Sequence, residues 1–170
     1  MPKIEVFYDH TCPYCFQGLA SFTRLVEDYP QAEIAWCPVE AHPKVEEPEH
    51  VPYADLAVIG AFFAQDYGID LAAYNERVFD MYFNEHQQVD DPRMLAEAVK
   101  PLGIDTEAFV TALMDGTYEK ALAKANRHAY ITNKVWAVPS FVCGNKRLDA
   151  VGGVGVTEEQ LAAFLQDCCG

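Results

Sequence analysis

Apolar and polar positions along the chain change period several times, and each change marks a predicted element. Ile4-Glu5-Val6-Phe7-Tyr8 is β-branched or aromatic and alternates, as a buried strand does. From Pro13 to about Tyr29 the period becomes three or four, with Cys15, Leu19, Phe22, Val26 and Tyr29 on one stripe and Pro30 ending the helix. Ile34, Trp36 and Val39 restore the strand pattern over roughly Glu33 to Val39, which stops in a proline-containing turn at Ala41-His42-Pro43. A strand, helix, strand unit of this kind pairs its strands in parallel through a right-handed crossover.

Residues 51–133 carry no strand signal and read as a run of helices. Leu56, Ile59, Gly60, Phe63 and Tyr67 form one apolar stripe, with Gly68 as C-cap, and Leu71, Tyr74, Val78, Met81 and Tyr82 form the next. Asp91-Pro92 is an N-cap followed by proline at the first helical position, and Asp105 and Thr117 are candidate caps for two more helices. The aromatic residues of this block are read first as core. Ser140-Phe141-Val142-Cys143 and Arg147-Leu148-Asp149-Ala150-Val151 flank Gly144-Asn145-Lys146 and predict a hairpin. A last helix opens on the capping box Thr157-x-x-Gln160 and presents Leu161, Phe164, Leu165 and Cys168 on one face.

Composition narrows the partners. The chain has 12 Lys and Arg against 26 Asp and Glu, a net charge of −14, which argues against nucleic acid. No stretch approaches the ~18 uninterrupted apolar residues of a membrane span, and no leader precedes the first strand, so the expected location is cytoplasmic, away from the membrane. Six cysteines are too few and too unevenly placed for a disulfide scaffold, and one functional dithiol in a reducing compartment fits them better.

That dithiol is Cys12-Pro13-Tyr14-Cys15, at the junction of the first strand and first helix. A sulfur at a helix N-terminus meets unpaired N–H groups and the positive dipole end, which favour the thiolate. Cys12 is therefore the expected nucleophile, and Cys15, one turn in, the resolving thiol. Pro13 suits a position where a missing N–H costs nothing. Two cysteines at this spacing also occur in zinc sites, but a second CxxC or an HxxxH is absent and the five histidines are scattered, so neither metal nor cofactor is expected.

The order of elements resembles the thioredoxin fold, an α/β arrangement on a central mixed sheet. An all-helical insertion between the second strand and the late hairpin makes it similar to the DsbA family. Residues 1–50, 51–133 and 134–170 would be the N-terminal thioredoxin part, the insertion and the C-terminal part of one unit. Asp9-x-x-Cys12-Pro13-Tyr14-Cys15-Phe16-x-Gly18 resembles the opening of the FrnE-like branch and its relatives, the 2-hydroxychromene-2-carboxylate isomerases and kappa-class glutathione transferases. Trp36-Cys37-Pro38-Val39-Glu40-Ala41-His42-Pro43 is similar to that branch after its second strand, where a basic residue more often stands at Cys37. Val138-Pro139-Ser140-Phe141-Val142 resembles its cis-proline hairpin. The resemblance implies that Pro139 is cis and packs beside Cys12, and that Val138 offers its backbone to a peptide. Tyr14 supports the site, and Asp9 and His10 are candidates for contact with substrate.

Thioredoxin and DsbA place a buried carboxylate six residues before the first cysteine, where this chain has Val6; Glu5 should face the other side of the sheet. Proton handling then falls to water, His10 or Asp9. The Pro13-Tyr14 pair resembles that of glutaredoxin, and a potential between the ~−120 mV of DsbA and the ~−270 mV of thioredoxin is expected. Cys37 and Cys143 lie on strands flanking the first, about 9.6 Å apart, beyond the ~7 Å reach of a bridge, so both are expected free and buried. Cys168-Cys169 reads as a packed cysteine followed by an incidental thiol, with a shuttle to Cys12-Cys15 as the functional alternative. Together these features imply a thiol–disulfide oxidoreductase acting on protein dithiols and disulfides, with glutathione or another small thiol as a candidate exchange partner. A glutathione-dependent isomerase or transferase is the alternative, although those relatives carry serine where Cys12 stands. A non-catalytic binding protein with a redox-switch dithiol is the third.

Overall fold

The computed structural model describes residues 1–41 and 54–170; His42 and Pro43 of the expected turn lie outside them. Strands β1 (Lys3–Tyr8), β2 (Glu33–Pro38), β3 (Ser140–Cys143) and β4 (Lys146–Asp149) form a sheet in the order β2-β1-β3-β4. β1 pairs with β2 in parallel, and β3 is antiparallel to both β1 and β4, so the sheet is mixed. Helix α1 (Pro13–Val26) links β1 to β2, and α7 (Glu158–Cys169) follows the hairpin. This is the thioredoxin arrangement.

Period-two alternation divides the sheet's side chains. Ile4, Val6, Tyr8 and Phe141 face α1 and α7, where Phe22, Leu161, Phe164 and Leu165 complete a buried core. Phe7 faces the opposite way, with Val39, Ala129 and Val135. Glu5 is on that second side, its Oε2 3.1 Å from His128 Nε2, as its position next to Val6 requires.

Between β2 and β3 lie α2 (Asp55–Asp66), α3 (Leu71–Phe79), α4 (Pro92–Val99), α5 (Thr106–Met114) and α6 (Glu119–Arg127). α3 and α6 each run on into a wider turn, Asp80–Asn84 and His128–Thr132. The Asp91 carboxylate caps α4, the Asp105 carboxylate caps α5, and Thr157 and Gln160 form the reciprocal box on α7. Thr117 caps nothing: its amide and hydroxyl donate to Asp115, and α6 begins two residues later. The α2 stripe also differs from expectation. Ala57, Val58, Ala61, Phe63 and Ala64 are buried, Leu56 and Ile59 are half-buried, and Tyr67 is exposed, because small residues let neighbouring helices approach closely on more than one side. Phe63, Tyr74 and Phe109 fill this helical core, as the core reading requires.

Cys143, expected free, is bonded to Cys168 with a Cα–Cα distance of 6.4 Å, so Cys168 is not a merely packed thiol and Cys12-Cys15 is not the chain's one possible pair. Cys37, two strands across the sheet from Cys143, does remain a free thiol. Cys143 shares its face with Phe141, and that face is covered by α7.

Gly60 is the tightest point of the helical core. A Cβ there would lie 2.8 Å from Phe109 Cζ and closer still to the Tyr74 hydroxyl, which donates to the Ala57 carbonyl at 2.7 Å. Gly60→Ala should overpack the core and destabilise the fold by about 1–3 kcal/mol, read as a lower urea midpoint at unchanged slope.

Candidate active site

Chain direction puts Cys12 where β1 gives way to α1. The residue is the N-cap of the helix, with extended backbone (φ −89, ψ 120) and Pro13 at the first helical position. Cys12 is 8% exposed and Cys15 is fully buried, so one sulfur of the pair is open to attack and the other is not. The Cys15 thiol, and then the Cys15 and Tyr14 amides, favour a Cys12 thiolate strongly enough to outweigh burial, bringing its pKa down to about 7. Burial, and next the neighbouring Cys12, hold Cys15 well above the ordinary range of a thiol, and its sulfur accepts the Asp9 amide at 3.4 Å.

Val138-Pro139 is a cis peptide, and the Val138 carbonyl lies 3.8 Å from Cys12 Sγ. Gly18 makes this approach possible: a Cβ there would sit 3.1 Å from Pro139 Cγ and 3.2 Å from Val156 Cγ2. Gly155 packs against Tyr14 in the same way, at 3.0 Å from Cδ1 for an added Cβ. The loop bearing Val138 is also fastened from β4. Asp149 Oδ1 accepts from Ser140 Oγ at 2.8 Å and from Arg147 Nη2 at 2.9 Å, while Arg147 Nη1 donates to the Asn133 carbonyl at 2.8 Å.

Asp9 and His10, expected at the substrate, are instead fully buried. Asp9 Oδ1 accepts from the Thr11 amide and hydroxyl, each at 2.7 Å, and Oδ2 accepts from the Ala41 amide at 2.8 Å. The carboxylate thus ties the β1–α1 loop to the segment after β2. His10 Nε2 is 2.9 Å from Asn75 Oδ1, which also accepts from the Tyr8 hydroxyl at 2.7 Å. Burial pushes the His10 imidazole down to about 4, against the opposing effects of Asn75 and Asp9, so it is neutral at neutral pH. Asn75, a single polar residue on an apolar helix face, gave no signal in the sequence. Among the described residues no group of three or more His, Cys, Asp and Glu side chains is arranged to hold a metal ion.

A reactive thiol at a helix N-cap, a buried partner one turn on and a cis-proline beside them form the constellation of one large family, whose sequence profile, the DSBA-like thioredoxin domain, matches residues 3–71 and 54–166. The chain belongs to that family. A protein of Bacillus subtilis (strain 168), described as uncharacterized protein YwbO, is 29% identical over 192 aligned positions, covering 94% of this chain and 95% of its own. The probable DsbA oxidoreductase SCO1869 from Streptomyces coelicolor superposes with a TM-score of 0.79 at 16% identity, over 98% of this chain and 89% of that one. The cytosolic disulfide reductase DsbM from Pseudomonas aeruginosa gives 0.71 at 16%, over 97% of each chain. A 2-hydroxychromene-2-carboxylate isomerase gives 0.70 at 20%, over 86% and 88%. At these identities the solved structures speak for the fold, and DsbA-like oxidoreductases and the isomerase share it, in agreement with the FrnE-like resemblance.

The contrast between the two active-site sulfurs is open to a direct check. In the reduced protein, alkylation of Cys12 by iodoacetamide should rise through a midpoint near pH 7, because the thiolate is the reacting form, while Cys15 stays unmodified. A Cys12 midpoint at the ordinary ~8.5 would contradict the N-cap account.

Proposed function

We propose that the protein is a thiol–disulfide oxidoreductase that acts on protein disulfides through Cys12 and Cys15. The observation that carries this reading is the pairing of a Cys12 thiol drawn down to about 7 with a Cys15 thiol that is fully buried and held high. In the first step the Cys12 thiolate bonds to one sulfur of a substrate disulfide, and the other sulfur leaves as a thiolate and takes up a proton. Cys15 then loses its proton and attacks Cys12 Sγ, releasing the substrate as a dithiol and leaving a Cys12–Cys15 disulfide. The substrate gains two electrons and the protein loses two.

Peptide binding is favoured by the surroundings. The Val138 carbonyl is at the sulfur, and Trp136 and Val154, 70% and 63% exposed, lie on the two loops that flank the cis-proline hairpin. A cleft of about 810 Å³ runs between α1 and α3, lined by Phe16, Leu19, Trp36 and Phe79 among others. A Cys12 pKa near 7 matches the ~7 of thioredoxin rather than the ~3.5 of DsbA, which favours reduction or isomerisation over strong oxidation. Glutathione is the small thiol proposed to reset the pair, supported by the likeness to DsbM, whose structure has also been described with GSH. The cytoplasmic placement belongs to the same proposal: DsbM is described as cytosolic, and among the described residues no helix is long and apolar enough to cross a membrane. The isomerase reading has fold likeness in its favour, but Cys12 supplies a thiol where that chemistry uses a hydroxyl.

Insulin reduction with glutathione as electron donor tests the proposal. Wild type should turn over, Cys12→Ser should be inactive, and Cys15→Ser, with glutathione left out, should stall after forming one mixed disulfide per molecule. Turnover by Cys12→Ser would sink it.

A further inference from the structure

Three sulfurs at the C-terminal end of α7 take no part in the chemistry of Cys12 and Cys15. Cys143 closes β3 and is bonded to Cys168 in the last turn of the helix. The neighbouring Cys169 is a free, half-buried thiol with its Sγ 3.5 Å from Cys168 Sγ. Two further contacts fasten this turn: Lys146 Nζ donates to the Asp167 carbonyl at 2.6 Å, and Gln31 Nε2 donates to the Cys169 carbonyl at 3.1 Å.

This group is remote from Cys12. Contacts between the two helices run in step, with Gly18 beside Val156, Tyr29 bonded to Gln166 and Gln31 to Cys169. The helices therefore point the same way, and the ten steps from Glu158 carry Cys168 about 15 Å from the end of α7 that packs beside Pro139. Within one molecule the terminal cysteines cannot touch Cys12, so the shuttle considered from sequence has no direct path.

A thiol held against a disulfide sulfur is an internal nucleophile, already positioned for exchange. We propose that Cys143, Cys168 and Cys169 form a second thiol–disulfide exchange centre, independent of Cys12 and Cys15, whose co-substrate is a low-molecular-weight thiol. The Cys169 thiolate bonds to Cys168 Sγ as the Cys168–Cys143 bond breaks, and Cys143 leaves as a thiolate that takes up the proton Cys169 released. Two sulfurs remain at the disulfide level, so this exchange needs no outside oxidant or reductant. A small thiol then attacks Cys169 Sγ of the Cys168–Cys169 bridge to form a mixed disulfide with Cys169, and Cys168 leaves as a thiolate that takes up the proton the small thiol released. A second small thiol removes the first as the small-molecule disulfide, so that two thiols are oxidised and one protein disulfide is reduced. The last turn of α7 is then held to the hairpin by Lys146 and to the α1–β2 connection by Gln31 and Tyr29. Burial keeps the Cys169 thiol above its ordinary range, so the exchange quickens as pH rises.

The test uses protein carrying Cys12→Ser and Cys15→Ser, which silences the first centre, with Cys169 intact or replaced by Ser or by Ala. Each oxidised protein is exposed to reduced glutathione at about pH 7 and about pH 8.5, quenched by alkylation and mapped by peptide mass. The expected result is a Cys143–Cys168 bridge at the start and a transient Cys168–Cys169 bridge. Opening should be about tenfold faster with Cys169 than with either replacement, and faster at the higher pH. Opening rates that ignore residue 169, or oxidised protein without a Cys143–Cys168 bridge, would overturn the proposal. Because Cys12 and Cys15 are absent, neither result bears on the function proposed for them.

Discussion

The Cys12 sulfur lies where the backbone of α1 begins, and the Cys15 thiol and the Tyr14 and Cys15 amides favour negative charge on it. Burial opposes that charge but does not win. At a pKa of about 7 roughly half of the thiol is ionised at neutral pH, against about 3% at the ordinary ~8.5 of a free cysteine. Cys15, three residues later, receives the same desolvation in full and faces the charge on Cys12, so its proton stays. Position around one helix terminus thus divides two chemically identical side chains into one that ionises readily and one that keeps its proton.

Much of the remaining structure keeps that terminus and the Val138 carbonyl in place. Gly18 lets α1 lie against Pro139, and Asp9 spends its acceptors on Thr11 and Ala41 so that the loop entering α1 is pinned to the segment after β2. From the other side, Asp149 and Arg147 on β4 hold Ser140 and Asn133, which bracket the cis-proline loop. Both oxygens of Asp9, the carboxylate beside the sulfurs, are therefore occupied in bonding the protein to itself. His10, neutral and bonded to Asn75, belongs to the interior where helix α3 meets β1.

What was legible in the sequence was local. Alternation gave β1, the three-to-four spacing gave α1, and Asp91, Asp105 and Thr157 announced their helices because a cap needs only its own turn. The CxxC could be placed at a helix start for the same reason. Contacts set by tertiary packing were not legible. Cys143 and Cys168 are 25 residues apart and meet only because α7 covers one face of β3, and Asn75 reaches Tyr8 and His10 from a different element altogether. Thr117 had the chemistry of a cap but lost that place when Asp115 captured its amide and hydroxyl.

Under the proposed function Cys12, and no other sulfur, captures the substrate. This is tested most directly by reacting reduced Cys15→Ser protein with a disulfide-bonded peptide and locating the adduct by peptide mass mapping. The peptide is expected on Cys12. An adduct on Cys37 or Cys169, with Cys12 left free, would contradict that function.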